Sequence, residues 1–298
     1  MEEFKSRGFN LNFLLQIAGI SKSTFYYKPY EGKCGSNRGR FIPRFSRTID
    51  GEIVPDEAIK TLLFDLAEEY PRYGYKKLTV LLRFRFGIKI NKKKVYRLCK
   101  EMDLLLPVER HYWLEESPIA FKKVAVNAPN SHWQMDITYI TLFPRIIFLL
   151  CIIDTYTLEI VGYKASFSIT SRDVIRTVLK SMIARGVQRN LTIRTDNGPQ
   201  FKSREFREFC QQQGIFHERI PVRSPERNPN IERFFRTLKE EFVGLHEFAG
   251  YSSFLKKLDE FMMEYNWIRP HQSLGYITPS KFYEEILRNN MSRGVLVI

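Results

Sequence analysis

Arg194-Thr195-Asp196-Asn197-Gly198-Pro199-Gln200-Phe201 is the stretch whose reading decides the fold. Leu191-Thr192-Ile193 just before it is apolar and β-branched, which predicts a strand, and Asn197-Gly198 then predicts a turn. Asp196 therefore stands at the carboxyl end of a strand, where open α/β sheets gather their chemistry. Upstream, Ser131–Thr141, Arg145–Ile153 and Glu159–Phe167 each read as strands, joined by two hairpins. Downstream, Ser203–Gln213 reads as a helix and Ile215–Ile220 as a strand, and Asn230–Phe242 as a longer helix. Ser171–Arg185 is a further helix, with Ser171 as its expected cap and Gly186 past its end. Three antiparallel strands followed by alternating helices and strands predict an α/β layer with a mixed sheet.

Two more acids stand at suggestive distances from Asp196. Asp136 lies in Trp133-Gln134-Met135-Asp136-Ile137-Thr138-Tyr139-Ile140, and Glu232 in Asn228-Pro229-Asn230-Ile231-Glu232-Arg233-Phe234-Phe235-Arg236-Thr237-Leu238-Lys239. Between Asp136 and Asp196 lie 59 residues, and between Asp196 and Glu232 lie 35. A lone Asp or Glu is usually solvated or a cap, and Asp154 and Glu226 are read that way. Asp136 is harder to dismiss, because it interrupts an aromatic, β-branched strand. Two divalent ions about 4 Å apart can activate an attacking oxygen and neutralise a phosphate, and two or three carboxylates suffice to hold them. Asp136, Asp196 and Glu232 are the expected metal ligands, with Glu232 in the first turns of a helix where the peptide dipole favours a carboxylate. Lys239 lies seven residues on, about 20° short of two full turns, so it shares a face with Glu232, as does Arg236 at i+4. Lys239 is the expected phosphate contact.

The bulk composition narrows the partner. The chain has 298 residues, 44% of them hydrophobic, and a formal net charge of +14. Such a basic balance favours a polyanion. The longest apolar run, Ile146 to Ile153, suits a buried strand and falls short of a membrane span. Glu2, Glu3, Lys5 and Arg7 break any hydrophobic start, so no signal peptide is expected. Cys34, Cys99, Cys151 and Cys210 are scattered, without a Cys-x-x-Cys pair, which fits a reduced cytoplasmic setting.

The basic residues are not spread evenly. Asp56–Glu69, Lys76–Phe86 and Lys92–Met102 read as three helices, Gly87 ending the second and Asn91 capping the third. Between Pro71 and Lys100 there are eleven Lys or Arg and no acid. Unmixed positive charge on a three-helix unit predicts phosphate contacts, and Arg72, Lys76, Lys77, Lys92, Lys93, Lys94 and Arg97 are the candidates, with Arg236 nearer the acids. Residues 1–54 read as a helical segment with a helix-turn-helix outline and a basic linker, and 55–125 as a DNA-binding region with its connector. Residues 126–245 read as the core, and 246–298 as a helical extension.

The motifs around Asp136, Asp196 and Glu232, with Lys239, resemble the DDE signature of bacterial insertion-sequence transposases of the orfB type, relatives of retroviral integrases. Tyr265-Asn266-Trp267-Ile268-Arg269-Pro270-His271-Gln272-Ser273-Leu274-Gly275-Tyr276 looks like the segment that follows the catalytic helix in that family. Arg72-Tyr73-Gly74-Tyr75 and Asn91-Lys92-Lys93-Lys94-Val95 look like its helix-turn-helix region. Pro229 and Asn230 depart from the small residues that many members carry before the glutamate. The resemblance implies a ribonuclease H-like integrase core, two Mg²⁺ ions with Mn²⁺ as a substitute, and action on double-stranded DNA. The DNA would be the terminal inverted repeats and a target, cleaved and joined by a homo-oligomer, with an upstream orfA-type protein as a further partner. A nuclease of the same fold that does not join ends, and a DNA-binding regulator of transposition, are the alternatives.

Overall fold

The computed structural model describes residues 43–107, 126–220 and 228–292. The helical pattern expected over residues 1–30 lies outside them, as does most of the 106–127 connector. Described residues from Ser46 onward form one compact unit.

Three helices open that unit: α1 (Asp56–Glu69), α2 (Tyr75–Phe86) and α3 (Lys92–Glu101). Their apolar faces meet in a core that includes Ile59, Leu63, Leu78, Leu82, Val95 and Leu98. The expected punctuation is present. Gly87 closes α2 in the left-handed region, which costs glycine little, and the Asn91 side chain accepts from the Lys93 amide at the start of α3. The described end of the expected linker forms strands. Strands β1 (Phe45–Thr48), β2 (Ile53–Pro55) and β3 (Ile88–Lys89) form a small sheet in the order β2-β1-β3. Its strands of two to four residues leave too little periodicity to read from the sequence.

The main sheet contains β4 (His132–Leu142), β5 (Arg145–Asp154), β6 (Ile160–Ser166), β7 (Thr192–Thr195) and β8 (Phe216–Arg219). Its order is β6-β5-β4-β7-β8. The first three strands pair antiparallel, and β7 and β8 join parallel. This is the ribonuclease H-like arrangement expected above. Helices α4 (Ser171–Arg185), α5 (Pro199–Lys202) and α6 (Arg204–Gln213) link the later strands. Thr170, not Ser171, caps α4 through a reciprocal bond with Asp173, and Ser203 caps α6. The short α5 goes unseen in the sequence because four residues carry no helical period.

Alternation along β4 and β5 divides the core in two. Trp133, Met135, Leu150 and Ile152 pack with Val174, Val178, Phe206 and Cys210 of α4 and α6. Ile140, Leu149, Cys151 and Ile153 face the other way, onto α7 (Pro229–Glu241) and α8 (Tyr251–Met263). The α-helix α8 passes into a π-helical turn, Glu264–Ile268, before α9 (Pro279–Ser292).

That π-turn opens the Tyr265–Tyr276 segment and fastens three parts of the fold together. Tyr265 packs edge-on against Phe234 of α7 and against His271. The Asn266 side chain accepts from the Ile160 amide and donates to the Ile160 carbonyl of edge strand β6. Arg269 donates twice to Glu241 at the end of α7, at 2.6 and 2.8 Å, and Lys77 of α2 donates to the same carboxylate at 3.1 Å. Tyr73 donates to Glu264 at 3.0 Å. The three-helix unit is thereby joined to the helix that carries Glu232 through a buried ionic cluster. Burial lowers Lys77 to about 8, and burial with the Arg269 charge holds His271 neutral, at about 3.

Candidate active site

Sheet register brings the first two acids together. Gln134 on β4 pairs with Arg194 on β7, and Arg194 with Glu218 on β8. These three form a polar row across the sheet, in which Arg194 Nε donates to Glu218 at 2.8 Å. Two residues further along each strand, on the same face, stand Asp136 and Asp196. Asp136 is within β4, and Asp196 is the first residue past β7. Asp196 Oδ1 accepts from the Gly198 amide at 2.9 Å, which shapes the turn. A Cβ on Gly198 would lie 3.1 Å from that oxygen and 3.3 Å from the Phe201 ring, so the turn favours glycine.

Glu232 arrives from the other layer. It lies in the first turn of α7, partly buried, while Ile231, Phe234, Phe235 and Leu238 anchor the helix on the sheet. The start of α7 is fixed by a residue that the sequence reading passed over. Gln134 Oε1 accepts from the Asn230 and Ile231 amides at 3.0 and 3.1 Å. The available signal was a polar residue two positions before Asp136, on the inward face of the strand.

The three acids share one field. The Asp136 carboxyl is raised from 3.8 to about 7, first by burial and then by the charges of Asp196 and Glu232, although the Ile137 amide donates to it and opposes the shift. Among the described residues no three His, Cys, Asp or Glu side chains form a ready-made metal cage. Like charges gain nothing from closer approach until a cation lies between them. The donor set of hard carboxylate oxygens suits Mg²⁺ or Mn²⁺. Lys239 and Arg236 are exposed on α7. Lys239 Nζ lies 5.8 Å from the centre of the Tyr139 ring.

A pH test follows from Asp136. An unfolded Asp loses its proton near 3.8, whereas the folded one holds it to about 7. Its contribution to stability is therefore complete below 3.8 and is lost as pH rises through about 7. In metal-free buffer at pH 8, Asp136→Asn is expected to raise Tm by about 4–8 °C, taking about 2 kcal/mol of relieved charge burial. The gain should vanish near pH 4. An unchanged or lower Tm at pH 8 would rule out this electrostatic picture.

The expected DNA contacts divide into two groups. Arg72, Lys76, Lys92 and Lys93 are exposed and make no ion pair among the described residues. Lys77, Lys94 and Arg97 are instead turned inward. Lys77 meets Glu241, while Lys94 and Arg97 both meet Asp56, at 2.5 and 2.8 Å. Asp56 is 6% exposed, and a buried carboxylate needs partners. Charge counting along the sequence could not see that Asp56 and Glu241 claim these cations.

Residues 126–225 and 213–279 match two family models described as integrase core domain, and 56–112 match one described as HTH-like domain. The chain is 34% identical over 229 residues to an uncharacterized 39.2 kDa protein of insertion element IS476 from Xanthomonas euvesicatoria, covering 76% of this chain and 64% of that protein. The chain thus spans less than two thirds of that relative's length. It is 30% identical over 229 residues to an uncharacterized 31.7 kDa protein of insertion element IS407 from Burkholderia multivorans, covering 76% of this chain and 81% of that protein. Transposase InsD of insertion element IS2 from Escherichia coli is 29% identical over 238 residues, covering 75% and 77%. Among solved structures, the HTLV-2 integrase catalytic core domain in complex with magnesium is 22% identical with a TM-score of 0.40, covering 52% of this chain and 96% of that one. With integrase core domain matches over residues 126–279 and relatives encoded by insertion elements, the chain belongs to a family of insertion-element proteins with an integrase core.

Proposed function

We propose that this protein is a DNA transposase that cleaves the ends of an insertion sequence and joins them to a target by divalent-metal phosphoryl transfer. The observation that carries this reading is the approach of Asp136, Asp196 and Glu232 to one another from β4, the β7 turn and α7, felt as mutual charge at Asp136. When bound, a pair of Mg²⁺ ions, or Mn²⁺ in their place, would activate the attacking oxygen and offset charge on the phosphate. Asp136, Asp196 and Glu232 would hold them, and Lys239 would contact the adjacent phosphate from the same helix as Glu232. Arg236, Arg72, Lys76, Lys92 and Lys93 would hold flanking DNA through its backbone.

Residues 1–54, 55–125, 126–245 and 246–298 would serve as helical segment with linker, DNA-binding region, catalytic core and extension. The protein would act in the cytoplasm, on the nucleoid, as a homo-oligomer that holds two DNA ends, with an orfA-type protein as a further partner. Among the described residues no helix is long and apolar enough to cross a membrane.

Incubation of the purified protein with labelled element ends and Mg²⁺ tests the reading. Nicked and joined products are expected. Nicks without joining would favour the nuclease alternative, and binding without either would favour the regulator. A salt titration tests the DNA contacts. Lys92→Ala with Lys93→Ala should reduce the slope of log affinity against log salt by about 2, near 0.9 per lost phosphate contact. Lys94→Ala should leave that slope unchanged and lower stability. The reverse pattern would return Lys94 to the DNA face.

A further inference from the structure

We propose that Gln134 is a positioning residue that sets the gap between Asp136 and Glu232 by capping α7 from the neighbouring strand. The proposal rests on the metal-site reading above. Helix α7 begins at Pro229, which has no N–H. Asn230 and Ile231 supply the first amides without intrahelical acceptors. A local cap would ordinarily meet them, and Asn228 is in place to do so. Its side chain makes no cap bond, and its two polar atoms, though buried, have no partner among the described residues. Gln134 takes that role, accepting from both amides, and is 2% exposed.

The consequence is a short mechanical path. Along β4, Gln134 and Asp136 are two residues apart on one face, about 7 Å. Along α7, Ile231 is the residue before Glu232. The two acids are thus linked by two strand residues, one amide side chain and one helix residue, whereas 95 residues separate them along the chain. Two N–H donors require the oxygen of the side-chain amide, so an acceptor of that length is what the position needs. Methionine matches glutamine in length but cannot replace that acceptor, and glutamate can.

Two readouts that do not depend on cleavage test this. Hydrogen exchange at the Asn230 and Ile231 amides reports the contact, and calorimetric titration of the full chain with Mn²⁺ reports the gap between the acids. Gln134→Met should speed exchange at both amides by about tenfold and weaken Mn²⁺ binding by about 10–100-fold, the range for partners that orient metal ligands. Gln134→Glu should restore wild-type exchange. A cap that only stabilises the fold would leave Mn²⁺ affinity unchanged below the melting transition, and that result would overturn the proposal. Unchanged exchange in Gln134→Met would overturn it as well. Should Gln134→Met fail to fold, Gln134→Asn, too short by one methylene, is read in the same way. If the wild-type chain binds no Mn²⁺, the metal-site reading fails, while the exchange arm still decides whether the cap exists.

Discussion

Asp196→Asn is expected to reduce Mg²⁺-dependent strand cleavage by more than about 10³-fold while leaving binding to element ends within about twofold. Loss of a single preorganised group that stabilises transition-state charge costs about 10²–10³ in other active sites. Here the lost charge would serve metal ions acting on both sides of the phosphorus. The fold should survive, because asparagine can still accept from the Gly198 amide as Asp196 Oδ1 does. Removing one of three mutually repelling charges should also lower the Asp136 carboxyl from about 7 towards the usual carboxylate range. Single-turnover cleavage of labelled ends and a binding isotherm on the same DNA separate the two effects. Normal cleavage by this variant in Mg²⁺ would remove Asp196 from the site and, with it, the proposed chemistry.

Glu241→Ala is expected to destabilise the fold by about 3–5 kcal/mol, the range for breaking a buried ion pair from one side. Glu241 is the common acceptor for Arg269 and Lys77, and the side chains of Glu241 and Arg269 are each 12% exposed. Without it two cations would face each other in a dry space. Lys77 would be pushed further below its present value of about 8, because burial already lowers it and the Arg269 charge adds to the shift. The loss should appear as a lower urea midpoint. Cleavage should fall too, because the carboxylate lies on the helix that carries Glu232 and Lys239. Exchanging Glu241 and Arg269 together for leucine and methionine should recover part of the stability, since Lys77 and Glu264, of opposite sign, would be the charges left in the cluster. A change below about 1 kcal/mol in the single variant would mean that water reaches the cluster.

The two predictions draw on different sources of information. Asp136, Asp196 and Glu232 were legible because each sits in a local pattern that gives its element away. Asp136 interrupts a β-branched strand, Asp196 ends one before Asn-Gly, and Glu232 opens an amphipathic helix. Period-2 and period-3.6 patterns are local properties, so the main-sheet strands, α1, α4 and the helical face shared by Glu232, Arg236 and Lys239 could be read directly. The small sheet of β1, β2 and β3 could not, because strands so short are made by pairing rather than by pattern.

The basic tract shows the same divide. Eleven cations without an acid between Pro71 and Lys100 looked like a single DNA face. Yet Asp56 takes Lys94 and Arg97, and Glu241, 164 residues away, takes Lys77. Gln134 looked like one letter of a motif until α7 came to rest on it. The sequence by itself determined the longer strands and helices, their order in the main mixed sheet, and the places of the three acids proposed as metal ligands and of the basic helices. Only the tertiary structure decided which cations remain on the surface, which residue caps the helix bearing Glu232, and how Tyr265–Tyr276 straps that helix to the three-helix unit. Element formation depends on neighbours a few residues apart, whereas the pairing of buried charges and amides depends on which distant groups share the same low-dielectric space.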